Sequence, residues 1–133
     1  MVGIVIVSHS YKVAEGIKDI LDQMAQKSVP IATAGGTSDL DIGTDPFKIK
    51  DAIEEVYSED GVIIFIDIGS AIMNTKIAIE FLDDEMQSNI VIANAPVLEG
   101  GLVAAVESKI GRDLMSIKES VEQSVKEIDK FMD

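Results

Sequence analysis

Val2-Gly-Ile-Val-Ile-Val-Ser-His-Ser-Tyr11 opens the chain, and its reading decides the fold. Ile4 to Val7 is an unbroken β-branched run, the pattern of a strand covered on both faces in a parallel sheet. Ser8, His9 and Ser10 end it. Beyond them Val13, Ile17, Leu21 and Met24, with Ala14 and Ile20 beside them, recur at helical spacing and predict a helix from about Tyr11 to Lys27. His9, the only histidine of the chain, therefore stands at a strand's carboxyl end and a helix's amino end. In open α/β sheets ligands bind there, and unpaired helix N–H groups favour anions. Taken alone, a single histidine in such a place is more simply a solvated or hydrogen-bonded loop residue. The rest of the chain shifts that balance.

The same alternation continues downstream. Val29 to Ala34 predicts a short second strand, begun or edged by Pro30, which lacks an N–H. Gly35 to Asp45 is a loop with three glycines and several hydroxyl and carboxylate groups, long enough to be functional. Asp45-Pro46 starts a helix as cap and first-turn proline; Ile49, Ile53 and Val56 carry its apolar face to about Tyr57, and Gly61 stops it. Val62 to Ile66 is the third strand and ends in Asp67-Ile-Gly-Ser-Ala71, with a helix expected from Ala71 to Leu82. Asn89 to Ala93 is the fourth strand, followed by a connection from Asn94 to Gly101 and a helix over Val103 to Lys109. After a break at Gly111, Leu114, Ile117, Val121, Val125 and Ile128 share one face of a last helix reaching about Phe131.

Strands alternating with helices imply right-handed crossovers and a doubly wound, mostly parallel α/β sheet, here in the order 2-1-3-4 with room for a further edge strand. Residues 1–133 are expected to form one domain. The winding reverses between the first and third strands, so His9 and Asp67 face each other across one switch-point crevice.

Composition removes several function classes. The chain is 47% hydrophobic, so it is globular, yet its apolar runs are strand-length and far short of the roughly 20 residues of a membrane span. No signal-peptide pattern marks the start. Cysteine is absent, which excludes disulfides and thiol catalysis and is compatible with a reducing cytoplasm. One histidine without cysteine makes a zinc site improbable. A formal charge of -13 argues against nucleic acid and anionic membrane surfaces as partners. The acidic residues are dispersed, as ordinary solvated faces are, although they would also steer a basic protein partner.

The histidine–aspartate pair suits nucleophilic chemistry. A ring nitrogen that donates to a carboxylate fixes the tautomer and leaves the other nitrogen as a free acceptor or nucleophile. Asp67 is placed for this, unless it merely caps the following helix. Ser70 is the better-placed cap, and capping alone explains Ser70 about as well as contact with a phosphate. Gly35-Gly36-Thr37 and Gly69-Ser70 flank the same sheet edge, and their N–H groups could line an anion-binding concavity, though glycines are common in turns. Hydrogen bonds to a charged group are worth about 1.5 to 3 kcal/mol each, and distant carboxylates are screened over about 8 Å. A few aimed donors would thus outweigh the acidity. No nucleophile elbow, Walker A loop or Gly-x-Gly-x-x-Gly is present. A receiver domain would place an acidic pair where Ser8-His9 stands.

Ile4-Val-Ile-Val-Ser-His-Ser10, Glu15-Gly16, Ile42-Gly-Thr-Asp45, Asp67-Ile-Gly-Ser-Ala71 and Ala95-Pro-Val-Leu-Glu-Gly100 closely resemble the phosphotransfer subunit of phosphoenolpyruvate-dependent dihydroxyacetone kinase, a relative of mannose-type enzyme IIA domains. The resemblance implies that His9 carries a phosphoryl group, taken from the phosphocarrier protein HPr and passed to ADP on the nucleotide-binding kinase subunit. It implies that Asp67 orients His9, that Gly36, Thr37 and Ser70 lie close to the phosphoryl group, and that the protein is a cytoplasmic homodimer with no cofactor. With no fused HPr-like domain in these residues, a separate HPr is the expected donor. A sugar-import enzyme IIA and a noncatalytic flavodoxin-like anion- or partner-binding module are the alternatives. Phosphate uptake separates the second from the others, and transfer to the kinase subunits separates the first.

Overall fold

The computed structural model describes residues 1–126, with the side chain of Val125 left aside. The sheet comprises β1 (Gly3–Ser8), β2 (Ile31–Gly35), β3 (Val62–Ile66) and β4 (Ile90–Ile92). All its pairings are parallel, and the order is β2-β1-β3-β4, as the strand–helix alternation predicts. The helices are α1 (Tyr11–Met24), α2 (Pro46–Val56), α3 (Ile72–Glu80), α4 (Asp84–Gln87), α5 (Val97–Lys109) and α6 (Leu114–Val125).

The unbroken apolar strands are explained by two cores, one on each sheet face. Ile4, Ile6, Ile63 and Phe65 point to one side and pack with Leu21 of α1, Ala104 and Ala105 of α5 and Ile117 and Val121 of α6. Val5, Val7, Val62 and Ile64 point to the other and meet Ile49 and Ile53 of α2 and Ala78 of α3. Successive strand residues alternate faces, so a strand covered on both faces reads as a continuous apolar run. Each such Val or Ile contributes roughly 1.5–3 kcal/mol by burial.

Several boundaries differ from the sequence reading: β2 runs Ile31–Gly35 rather than Val29–Ala34, and β4 runs Ile90–Ile92 rather than Asn89–Ala93. Helix α1 stops at Met24 because Gln26 and Lys27 are left-handed, φ 57° and 55°, turning the chain toward β2. A 3-10 turn over Gly69–Ala71 precedes α3, which ends at Glu80. The short α4, capped by Asp83 accepting from Met86 N–H, lies where no helix is predicted. Helix α5 begins at Val97, inside the expected loop. Its Gly100 and Gly101 are packing residues: a Cβ on Gly100 would lie 2.8 Å from Phe65 Cε1, and one on Gly101 would lie 3.0 Å from Leu21 Cδ1. The apolar face of α6 is confirmed for Leu114, Ile117 and Val121, while Ile128 and Phe131 lie outside the described residues. No helix among the described residues is long and apolar enough to cross a membrane.

Register sets the site. Ser8 pairs with Gly35 and Val7 with Ile66, so β1, β2 and β3 end at one level. The N–H of Gly36 then donates to Ser8 O (3.1 Å) and that of Asp67 to Val7 O (3.1 Å), extending the ladder to either side of His9.

Two glycines test this packing in opposite directions. Gly16 lies in α1, and a Cβ added there would meet nothing within 4 Å, so Gly16→Ala should stabilise by about 0.8–1 kcal/mol. Gly100→Ala should destabilise by roughly 1–3 kcal/mol through overpacking on Phe65. Urea denaturation of both variants measures the contrast.

Candidate functional site

Two serines set the backbone on either side of His9. Ser10 is extended (φ -116°, ψ 125°) and caps α1, its Oγ accepting from Val13 N–H. Ser8 is fully buried; its Oγ accepts from Ser10 N–H at 3.0 Å and donates to Asp67 Oδ2 at 2.9 Å. His9 is thereby held in a tight Ser-His-Ser turn between β1 and α1.

Asp67 closes the constellation from β3. Besides Ser8, its carboxylate accepts from His9 N–H (3.0 Å), His9 Nδ1 (3.0 Å) and Ile68 N–H (2.7 Å). Burial opposes its ionisation, but the bonds from the His9 backbone and ring, Ser8 and Ile68 outweigh that and hold the carboxyl below its ordinary value. An ionised carboxylate only accepts, so Nδ1 carries the proton. In the neutral ring Nε2 is then the lone-pair nitrogen, and Ser70 Oγ lies 2.9 Å from it as donor. The side chains of His9 and Asp67 are 21% and 22% exposed. The ring is therefore fixed on one edge yet open to an approaching partner.

Ser70, whose sequence context fits capping and phosphate contact about equally, caps nothing: neither the 3-10 turn nor α3 has a side-chain cap bond. Its hydroxyl serves the imidazole instead. Asp67 likewise does not cap α3. On the β2 side, the N–H groups of Gly36 and Thr37 are both occupied, by Ser8 O and by Asp41 O (2.9 Å). Of that segment the Thr37 hydroxyl accepts from Asp41 N–H, and its proton has no acceptor among the described residues. A second tie fastens the loop to the site, because Gly43 N–H donates to His9 O at 2.9 Å. Lys48 Nζ donates to Gly35 O (2.6 Å) and Thr37 O (3.2 Å). Beside Asp67, an open cleft of about 490 Å³ runs past Gly69 and Ile72 to the Asn94–Pro96 loop; Asp67 lines it and His9 does not.

Two participants escaped the sequence reading. Ser8 is visible only as one polar residue ending an apolar run, and its two-sided bonding needs coordinates. Gly43 looks like one more loop glycine. Its φ of 142° favours glycine, and a Cβ there would lie 2.9 Å from Thr37 Cγ2.

The family model of the fructose IIA component of PTS systems, EIIA-man, matches residues 3–118. The chain belongs to the EIIA-man family. Among EIIA-man relatives, it is 40% identical over 110 residues to the phosphoryl donor subunit DhaM of PEP-dependent dihydroxyacetone kinase 2 from Listeria innocua, covering 83% of this chain and 88% of that one. It is 39% identical over 117 residues to the DhaM subunit from Escherichia coli, covering 86% of this chain but only 25% of that longer protein. The crystal structure of EF1359, a protein of unknown function, superposes with a TM-score of 0.81 at 35% identity, covering 92% of this chain and 95% of that one. The EIIA-man match begins at β1 and reaches into α6, so every site residue described above lies within it.

The Asp67 carboxyl should titrate below the usual aspartate range, and Ser8→Ala should raise its midpoint by removing one donor. Because the folded value is depressed, ionised Asp67 supports the fold fully above the unfolded-chain value and loses that support as pH falls through the folded one. Carboxyl-carbon NMR titration of parent and variant measures both; an unshifted Asp67 contradicts the hydrogen-bond account.

Proposed function

We propose that this chain is a phosphohistidine carrier of a phosphoenolpyruvate-dependent dihydroxyacetone kinase, with His9 taking a phosphoryl group from HPr and yielding it to ADP on the nucleotide-binding kinase subunit. The supporting observation is the line Asp67–His9–Ser70, with Nδ1 held by a carboxylate and Nε2 facing the Ser70 hydroxyl, in a chain similar to phosphoryl donor subunits. Catalysis here is mostly positioning and charge, as phosphoryl transfer generally demands.

The neutral ring attacks through the Nε2 lone pair. The phosphorus–nitrogen bond of the donor breaks as the Nε2–phosphorus bond forms, and the donor imidazole leaves. The His9 ring, still carrying its Nδ1 proton, becomes cationic and is stabilised by Asp67. When an ADP oxygen attacks the phosphorus, the Nε2 bond breaks and neutral His9 returns with no proton moved. Ser70, displaced from Nε2, turns its hydroxyl to a phosphoryl oxygen, and the Thr37 hydroxyl is a further donor from the loop at Gly36. One domain suffices for this relay, working in the cytoplasm beside its partners, as a homodimer on the family's pattern.

The EIIA-man match also admits a sugar-import enzyme IIA, and the acceptor decides between them. Incubation with phosphoenolpyruvate, enzyme I and HPr should give an acid-labile, alkali-stable label that His9→Ala abolishes. An unlabelled parent leaves a noncatalytic module. Adding kinase subunits with ADP and dihydroxyacetone should discharge the label into dihydroxyacetone phosphate; retention of the label favours sugar import. Asp67→Asn should slow labelling roughly 10- to 100-fold, the value of a charge-assisted hydrogen bond of about 1.5–3 kcal/mol. Its melting temperature should change far less, and labelling at the parental rate contradicts the orienting role.

A further inference from the structure

Lys48 is an unusual place for a cation. It is the third residue of α2, and a positive charge in the first turn opposes the helix dipole. The ion pairs among the described residues engage the amino terminus, His9, Lys18, Lys50, Arg112 and Lys118, but not Lys48, in a chain with 24 carboxylate side chains. Lys48 instead crosses to the end of β2 and lies against backbone carbonyls, those of Gly35 and Thr37, with its Nζ 5.7 Å from the centroid of the Tyr11 ring.

Those anchors adjoin His9 on both sides. Gly35 pairs with Ser8, the residue before His9, and a Cβ on Gly35 would lie 2.8 Å from Ser10 O and Tyr11 Cα, just after it. Both ring nitrogens of His9 are engaged from the β3 side, by Asp67 and Ser70, whereas the β2 side presents a cation whose partners are uncharged. A doubly negative phosphoryl group arriving on this rim meets the Asp67 carboxylate from one side. A fixed positive charge opposite would offset that repulsion, and a charge without a carboxylate partner keeps its field for the ligand.

We propose that Lys48 is an electrostatic positioning residue for phosphoryl transfer: clamped by the Gly35 and Thr37 carbonyls beside the His9 turn, its ammonium stabilises the phosphoryl group on His9. The inference rests on the carrier reading above. It adds a residue outside the histidine–aspartate–serine line, and its contribution is charge rather than shape.

Three variants separate charge from scaffolding. Lys48→Arg keeps the charge, Lys48→Gln keeps donors for the two carbonyls without charge, and Lys48→Met keeps only the stem. Each is labelled from phospho-HPr, read as initial rate and as the equilibrium share of phosphoryl between HPr and this chain, with thermal melting as the check on folding. Gln and Met should both slow labelling roughly tenfold or more and move the equilibrium toward phospho-HPr, while Arg stays close to the parent. Parental rate and equilibrium in Lys48→Gln overturn the proposal by reducing Lys48 to a clamp, and so does failure of Arg to rescue. An unlabelled parent overturns the carrier reading and this inference together; a labelled parent with indifferent variants overturns the inference alone.

Discussion

One carboxylate, that of Asp67, gathers four donors at the seam between β1 and β3, and the working geometry follows from it. Two of those donors come from His9 itself, its backbone N–H and its Nδ1. The carboxylate therefore fixes both where the residue sits and which ring nitrogen is left over. Ser8 ties the same carboxylate to the start of α1 through Ser10. Parallel pairing makes this possible, because strands running the same way end side by side and bring residues 58 apart in sequence to one edge.

The acidity of the protein is compatible with handling a phosphoryl group because short-range donors decide the local field. Around His9, the proposed role of Ser70, the Thr37 hydroxyl and Lys48 is to offset the Asp67 carboxylate, which is itself held by four hydrogen bonds. Several of the remaining carboxylates are engaged elsewhere, Asp45, Asp83 and Asp113 as helix caps and Asp22, Glu54 and Glu122 in pairs one helical turn apart. Exposed pairs of that kind contribute little to stability individually. Their net charge acts at longer range, favouring a basic partner at encounter.

Much of the fold was legible because the apolar pattern has few alternatives. Val62 to Ile66 is bounded by Gly61 and Asp67, and the strand matches that reading to the residue. Asp45-Pro46 announced α2 and its cap correctly, with Asp45 accepting from Phe47 N–H. The start of α5 was hidden because Gly100-Gly101 carries the signature of a loop, whereas there it permits close approach to Phe65 and Leu21. Within the site, the pairing of His9 with Asp67 followed from strand order. The bond from Ser70 to Nε2 did not, because a serine at a helix start has the same local sequence whether it caps or reaches across. Lys48 left no trace at all, since its partners are carbonyls, which every residue possesses.

Which imidazole nitrogen accepts phosphorus is the most direct test of the Asp67–His9 geometry. Phosphorus–nitrogen correlated NMR of the ¹⁵N-labelled phosphoprotein reads it. With Asp67 holding Nδ1, the coupling must appear at Nε2 of His9, and Nδ1 must keep its proton. A phosphorus bound to Nδ1, or to any other residue, would contradict that mechanism.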